Sequence, residues 1–395
     1  MTRPSEPSTS GYRDRLSREQ EEARFLAPAA TRAMDSRGRL HAEPEPPFRT
    51  AFQRDRDRIV HSRAFRRLQY KTQVFVHHEG DHYRNRLTHT LEGAQITRTI
   101  ARVLGLNEDL AEAIALAHDL GHTPFGHAGE RVLAEMLSSD GGFDHNRQCL
   151  RVVDLLEQRY AEYPGLNLSD ETREGILKHG CHWEHPVQLP ELLAQRSLEA
   201  QVADAADEIA YLNHDLDDGL RAGILDFDMI RDLSLLGGIV RDVEQRHASA
   251  PAPVRRSRIV SGMIDELVTD LVDASRRRID ADGLDTPTAA RESATRAVGL
   301  SEEVDGARRE LKSFLFDRFY NHADVLDRTH RAEAVVADLF RIFSDEPARL
   351  PDGVRARFPG EGAPRAVADY VAGMTDRFAL AEHGKILGSG GPEGL

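Results

Sequence analysis

ALAHDLGHTPFGHAGE, residues 115 to 130, decides the reading of this chain. Leu110, Ala113, Ile114 and Ala117 recur at a helical period and lead into the pair His118-Asp119. Gly121, Pro124 and Gly126 then stop the helix. Neighbouring residues on a helix point about 100° apart, so His118 and Asp119 can reach one ion only at a particular face or near a helix end. The breakers put them near such an end. A lone His-Asp pair would need no function, since a helix-terminal His beside a capping Asp explains it. His122 and His127 follow, however, and Glu130 lies one turn beyond His127, on a shared face. So many ionisable groups within one broken helix are hard to explain as packing. Mixed imidazole and carboxylate ligands suit a hard-to-borderline divalent metal and leave positions open for water and substrate. The segment therefore predicts a metal-dependent hydrolase.

Three further stretches have weaker signals. Arg86 precedes His89 by three residues in YRNRLTHTLEG, which could flank a bound phosphate from the same turn; a surface Arg near a helix start has the same pattern. Asp207, Tyr211 and Asp215 fall at i, i+4 and i+8 in DAADEIAYLNHDLDD and line one helical face. Asp204, Glu208, Asp217 and Asp218 beside them fit a solvated acidic face equally well. Lys178 in GILKHG stands at an expected helix end, where a cation complements the dipole regardless of function. His182 and His185 in CHWEH look like ligands but lack a second cluster of matching spacing, so they read as local surface residues. His77, His78 and His82 read as loop histidines.

Composition bounds the rest. The 395 residues are 40% hydrophobic, enough for a real core, and 6% aromatic with one Trp, which argues against an all-β sandwich. With 52 Lys and Arg against 66 Asp and Glu, the net charge is −14, which disfavours a dedicated nucleic-acid binder. Yet Arg49 to Arg86 hold ten Arg or Lys and four Asp or Glu, a local excess suited to an anionic ligand. Cys149 and Cys181 form no CxxC pair, so a reducing compartment fits better than a disulfide framework. No apolar leader opens MTRPSEPSTSGYRDRLSREQ and no stretch approaches a membrane span. The expectation is a soluble, cytoplasmic protein with no membrane partner. A GxxxxGK[ST] loop and a GxSxG elbow are both absent.

The architecture reads as all-α. Residues 1 to 47 are polar and Pro-rich, an extended, flexible arm with one short helix around Ser17 to Phe25. Phe52, Ile59, Phe65 and Leu68 share one face of an Arg-studded helix, and Leu87, Leu91, Ala94, Ile100 and Leu104 share the next, ending at Gly105. Further helices are expected over 128–138, 145–162, 170–179, 197–221, 227–246, 257–280, 303–325, 329–343 and 364–381. The one strand signal is KTQVFVHH at 71–78, with a minor β-hairpin around Glu79-Gly80.

Taken in order, RDRDRIVHSRAFRRLQYKTQVF, RLTHTLEGAQ, AHDLGHTPFGHAGE, FDHNRQCLRV, SLEAQVADAADEIAYLNHDLDDGL and DYVAGMTDRFAL resemble the HD-domain deoxynucleoside triphosphate triphosphohydrolases, specifically the bacterial dGTPase-like group. The resemblance runs from about Phe48 to Leu380. It implies an HD-domain helical fold, with a catalytic core over 48–228 and a C-terminal helical region over 229–395 that includes a phosphohydrolase-associated segment and a flexible tail. It implies His89, His118, Asp119 and Asp207 as ligands of a divalent metal (Mg, Mn, Fe, Co or Ni), with Asp207 favoured over Asp204 by its place four residues before Tyr211. By the same matching, His122, His127 and His145 approach the phosphates, Glu130 orients His127, and Arg86 and Lys178 neutralise phosphate charge. Gln73, Tyr211 and Asp215 face a deoxyribose, and Arg377 is a weaker phosphate contact near a subunit boundary. The implied reaction converts a deoxynucleoside triphosphate to deoxynucleoside and triphosphate, in a homo-oligomer in which dNTPs also act as activators. The alternatives are an HD phosphohydrolase acting on another nucleotide, or a regulator that binds nucleotides or, weakly, single-stranded nucleic acid through the basic segment.

Overall fold

The computed structural model describes residues 13–73, 84–177 and 185–388, and its regular structure is almost all helix. Helix α1 (Arg15–Phe25) is capped by Asp14. The chain then runs largely extended to the start of α2 (Ala51–Val60), as the polar, Pro-rich composition predicts, but residues 13 to 47 are fastened down rather than loose. Thr31 donates to Glu199, Arg37 pairs with Glu171, and Arg39 pairs with buried Asp55 while donating to the carbonyls of Asn167 and Ala51. Buried carboxylates on the core need these donors, so the arm is held by their desolvation as much as by its own composition.

Thr50 and Gln53 form a capping box at the start of α2. The expected single helix from Phe52 to Leu68 is two, because Ser62 caps a new start for α3 (Arg63–Arg67). Next come α4 (Arg86–Val103), capped by Asn85, and α5 (Glu108–Ala117), capped by Asn107. Helix α6 (His127–Met136) starts directly after Gly126. Helix α7 (His145–Arg151) passes into a π-helical turn over Val152–Leu156 and stops there, short of the expected residue 162. Helices α8 (Asp170–Ile176) and α9 (Leu198–Arg221) complete this half.

Beyond it, the helix expected over 227–246 is broken into α10 (Phe227–Ile230) and α11 (Gly237–Arg246). The long α12 (Ala252–Ala281) and short α13 (Pro287–Glu292) precede α14 (Glu302–Leu315), which ends in a second π-helical turn, Phe316–Tyr320. Then follow α15 (Ala323–Asp345), α16 (Asp352–Arg355), α17 (Phe358–Glu361), α18 (Ala363–Ala372) and α19 (Asp376–Leu387). Gly373 ends α18 and Thr375 caps α19, so the run expected over 364–381 is also two helices.

Helices α4, α5 and α9 pack on one another at the centre. Leu110, Ala113, Ile114 and Ala117 of α5 are at most 1% exposed and join Phe52, Ile59, Leu68, Leu150 and Ile176 in one core beneath the site. A second core gathers Leu212 and Leu216 of α9 with Met263, Leu267, Leu315 and Phe319. A third packs Leu133 of α6 against Val336, Leu339, Val367 and Val371. Truncating one such buried Leu or Ile to Ala costs about 2–5 kcal/mol. Among the described residues the only β pairing is in isolated bridges, one of them Thr72 with Asn85. The expected hairpin falls largely on 74–83, outside the described residues, as does the tail from 389. No described helix is long and apolar enough to cross a membrane.

Candidate active site

Three central helices deliver the predicted ligand residues to one point. His89 comes from the first turn of α4, His118 and Asp119 from the end of α5, and Asp207 from the middle of α9. Asp207 Oδ1 lies 3.1 Å from both His89 Nε2 and His118 Nε2. Asp119 Oδ1 is 3.3 Å from His118 Nε2, and its Oδ2 is 4.0 Å from His89 Nε2. Donors at about 2.1 Å from an octahedral ion sit roughly 3 Å from their cis neighbours, so these spacings fit a divalent metal. The His118 tautomer agrees: its Nδ1–H donates to the Ala115 carbonyl at 2.5 Å, leaving the Nε2 lone pair facing the cluster. Asp204 points elsewhere, to Arg196 and Arg296.

A second group of imidazoles adjoins the first. His122 Nε2 is 3.0 Å from Asp119 Oδ1, and its ring stacks on His145 with centroids 4.1 Å apart. Glu130 does more than orient His127. One carboxylate oxygen takes His127 Nδ1 at 3.0 Å; the other takes both the ring Nδ1 and the backbone N–H of His145, at 2.7 and 2.9 Å. Arg86, 2% exposed, donates from Nη1 to Asp119 at 3.1 Å, while its buried Nε–H has no partner among the described residues. Burial opposes a charge on Asp119, but His118, Arg86 and His122 outweigh it and hold the carboxyl well below its usual range. Burial, Arg86 and His145 push His122 well below an ordinary histidine, so its ring is neutral. Burial likewise opposes the Glu130 charge, yet the hydrogen bonds from His127 and His145 keep it ionised far into acid.

Beside these lies a third group. Gln73 is 7% exposed with its carbonyl oxygen Oε1 unpartnered among the described residues. Gly126 lets the 122–127 loop approach this segment: at φ +58 a Cβ there would sit 3.0 Å from Arg86 Nη2 and 3.5 Å from the Gln73 carbonyl. Tyr211 and Asp215 of α9 both bond the hydroxyl of Tyr320, which donates to the Asp215 carboxylate. Burial lifts the Asp215 carboxyl well above its ordinary value, and it lifts Tyr211 further above 10.

Several of these residues escape sequence reasoning. Tyr320 stands in a π-helical turn 105 residues from Asp215, with no motif around it. Asp376, 2% exposed, takes the backbone N–H groups of Thr72 and Phe125 at 2.8 and 2.9 Å, tying the C-terminal helices to the loop after α5. Buried Lys71 bridges the carbonyls of His122 and Ala372 from the same side, and burial among other cations brings its pKa down to about 7. His214 contacts His89 and Glu92. Of the predicted residues, Lys178 lies outside the described residues. Arg377 lies on α19, its guanidinium 5.7 Å from the centre of the Tyr70 ring. His185, read as a surface residue, is buried against Asp154 at 2.9 Å, in a network with Arg173.

An HD domain model matches residues 86–212, the span from α4 to α9 that contains all four ligand candidates. A phosphohydrolase-associated domain model matches residues 298–385. Fold and these matches define the class: HD-domain hydrolases. At higher resolution, the chain is 49% identical over 367 residues to a deoxyguanosinetriphosphate triphosphohydrolase-like protein of Thiobacillus denitrificans, covering 91% of this chain and 97% of that protein. It is 49% identical over 378 residues to the protein of the same description in Bordetella pertussis, covering 92% and 97%, and 46% over 380 residues to that of Parvibaculum lavamentivorans, covering 91% and 96%. The chain belongs to the deoxyguanosinetriphosphate triphosphohydrolase-like family.

Proposed function

We propose that this protein is a metal-dependent triphosphohydrolase that cleaves deoxynucleoside triphosphates, dGTP foremost, into deoxynucleoside and inorganic triphosphate. The observation that supports it most is the adjacency of three groups: the His89–His118–Asp119–Asp207 donor cluster, the Arg86–His122–His145–Glu130 group, of which Arg86 and His122 are buried, and the Tyr211–Tyr320–Asp215 triad. Relatives named for deoxyguanosine triphosphate support the same substrate class.

His89, His118, Asp119 and Asp207 would hold the metal, which when bound supplies a Lewis acid that draws charge from a phosphate oxygen. Arg86 brings to the phosphates a buried Nε–H that has no partner among the described residues, and a buried donor of that kind gains most from an anionic ligand. Water attacks the α-phosphorus, the bond to the 5′-oxygen breaks, and the leaving oxygen takes a proton from His127 or His145. Glu130 bonds both rings through Nδ1, which raises their basicity and points each Nε2 outward. At the other end the Asp215 carboxylate and Tyr320 hydroxyl receive the 3′-hydroxyl. Gln73 and Tyr211 pack where a 2′-hydroxyl would sit, and such a group is rejected strongly only if it clashes or stays unpaired.

The test is a panel of dNTPs, singly and in pairs, with protein reloaded with Mn²⁺ after chelation. The expected product is triphosphate, lost in His118→Ala. Pairs of nucleotides expose any activation that single substrates hide. Formation of dNMP and pyrophosphate would reject the bond choice, and turnover of other nucleotides alone would reject the substrate class.

A further inference from the structure

We infer that His214 and Glu92 form a positioning relay that fixes the tautomer of His89 and thereby sets metal affinity; this rests on the reading of His89 as a metal ligand. His214 lies on α9 seven residues after Asp207, 3% exposed, with its Nδ1 2.9 Å from His89 Nδ1. Two imidazole nitrogens at that distance share one hydrogen, so one ring donates and the other accepts. Glu92 decides which. Its carboxylate lies 2.5 Å from His214 Nε2 and can only accept, so the hydrogen of His214 is on Nε2 and its Nδ1 is a lone pair. His89 must then carry its hydrogen on Nδ1, which leaves His89 Nε2 bare toward Asp207, Asp119 and His118. The opposite tautomer would point an N–H into the donor set and oppose a cation.

The chain of contacts extends outward. Glu92 follows His89 by three residues on the same face of α4 and is held by Arg84 at 3.2 Å; Arg84 in turn bonds Asp217 on α9 at 2.6 Å. His118 has its tautomer set by a backbone carbonyl, which no side-chain change removes, whereas His89 depends wholly on two side chains. Among the described residues neither His214 nor Glu92 bonds Arg86, His122, His145 or Glu130, so the pair acts on the ligand and not on the substrate.

The experiment measures Mn²⁺ affinity of chelator-stripped protein by calorimetry, with the metal-induced rise in melting temperature as a second readout. His214→Leu is expected to weaken binding roughly 10- to 100-fold, as loss of such an outer partner does. Glu92→Ala moves it in the same direction, and His214→Gln, which keeps a carbonyl acceptor, recovers part of the loss. Glu92 is 48% exposed in its side chain, so Glu92→Ala tests the relay even if His214→Leu does not fold. His89→Ala is the control. Wild-type affinity in His89→Ala would overturn the metal-site reading itself; loss in His89→Ala with wild-type affinity in both relay variants would overturn the relay alone.

Discussion

Gly121→Ala should separate catalysis from folding more sharply than any ligand substitution. A Cβ at Gly121 would lie 2.2 Å from the Cys149 nitrogen, 2.3 Å from the His145 carbonyl oxygen and 2.6 Å from the Gln148 carbonyl carbon, all backbone atoms of α7. No side chain can swing aside, so α7 and the loop after α5 must part by about 1 Å to reach van der Waals separation. That movement parts His145 from His122, which stack at 4.1 Å, and it strains the Cys149 thiol bridge to Gly121 N and the His118 carbonyl. Overpacking of this kind costs about 1–3 kcal/mol, which the fold tolerates, whereas a misplacement of about 1 Å at a reacting group costs about 100-fold in rate. The assay is steady-state triphosphate release at saturating Mn²⁺, with a thermal melt of the same sample. We expect a melting point lower by a few degrees and kcat lower by about 100-fold. Wild-type kcat with an unchanged melt would refute the tight packing of α7 against the loop after α5. Gly306→Ala is the matching control: it sits within α14 with nothing within 4 Å of its Cβ, so it should add up to about 1 kcal/mol of stability and leave kcat alone.

Other expectations are as direct. Tyr320→Phe removes the hydroxyl shared by Tyr211 and Asp215, so KM for dGTP should rise about 10-fold, the size of one lost hydrogen bond, with kcat within a few-fold; an unchanged KM places the sugar elsewhere. Asp376→Asn sets an amide against backbone N–H donors of Thr72 or Phe125, at a cost of about 1–3 kcal/mol that denaturant unfolding would register. Burial raises Glu22 from 4.5 to about 7, so the folded state retains a proton that the unfolded chain releases. Its contribution to stability is complete below about pH 4.5 and fades as pH rises through about 7. Glu22→Gln should therefore match wild type near pH 4.5 and exceed it by about 1–3 kcal/mol at pH 8 in paired melts; parallel pH profiles would contradict this.

Local pattern made the helices legible. Leu110, Ala113, Ile114 and Ala117 predict α5, and Gly121, Pro124 and Gly126 predict where it stops, because apolar period and breakers act within a few residues. Three of the helix boundaries fail in the same way. The runs over 52–68, 227–246 and 364–381 each read as one helix and are two, since an internal cap such as Ser62 or Thr375 interrupts a hydrophobic pattern that continues across it. Residues 13 to 47 read as a loose arm from composition, yet Glu199, Glu171 and Asp55, which hold them, are more than a dozen residues away in sequence. The same distance hides half of the site. His118, His122 and Glu130 lie in one segment and could be read together; Tyr320 meets it only after folding, with no motif around it, while His214 and Asp376 stand inside DAADEIAYLNHDLDD and DYVAGMTDRFAL, stretches whose local pattern gives neither residue a role.

Hydrolysis of dGTP in ¹⁸O-enriched water shows which bond breaks. Mass spectrometry of the products should find one ¹⁸O in inorganic triphosphate and none in deoxyguanosine. Label in pyrophosphate, orthophosphate or a deoxynucleotide, or in the nucleoside itself, would contradict it.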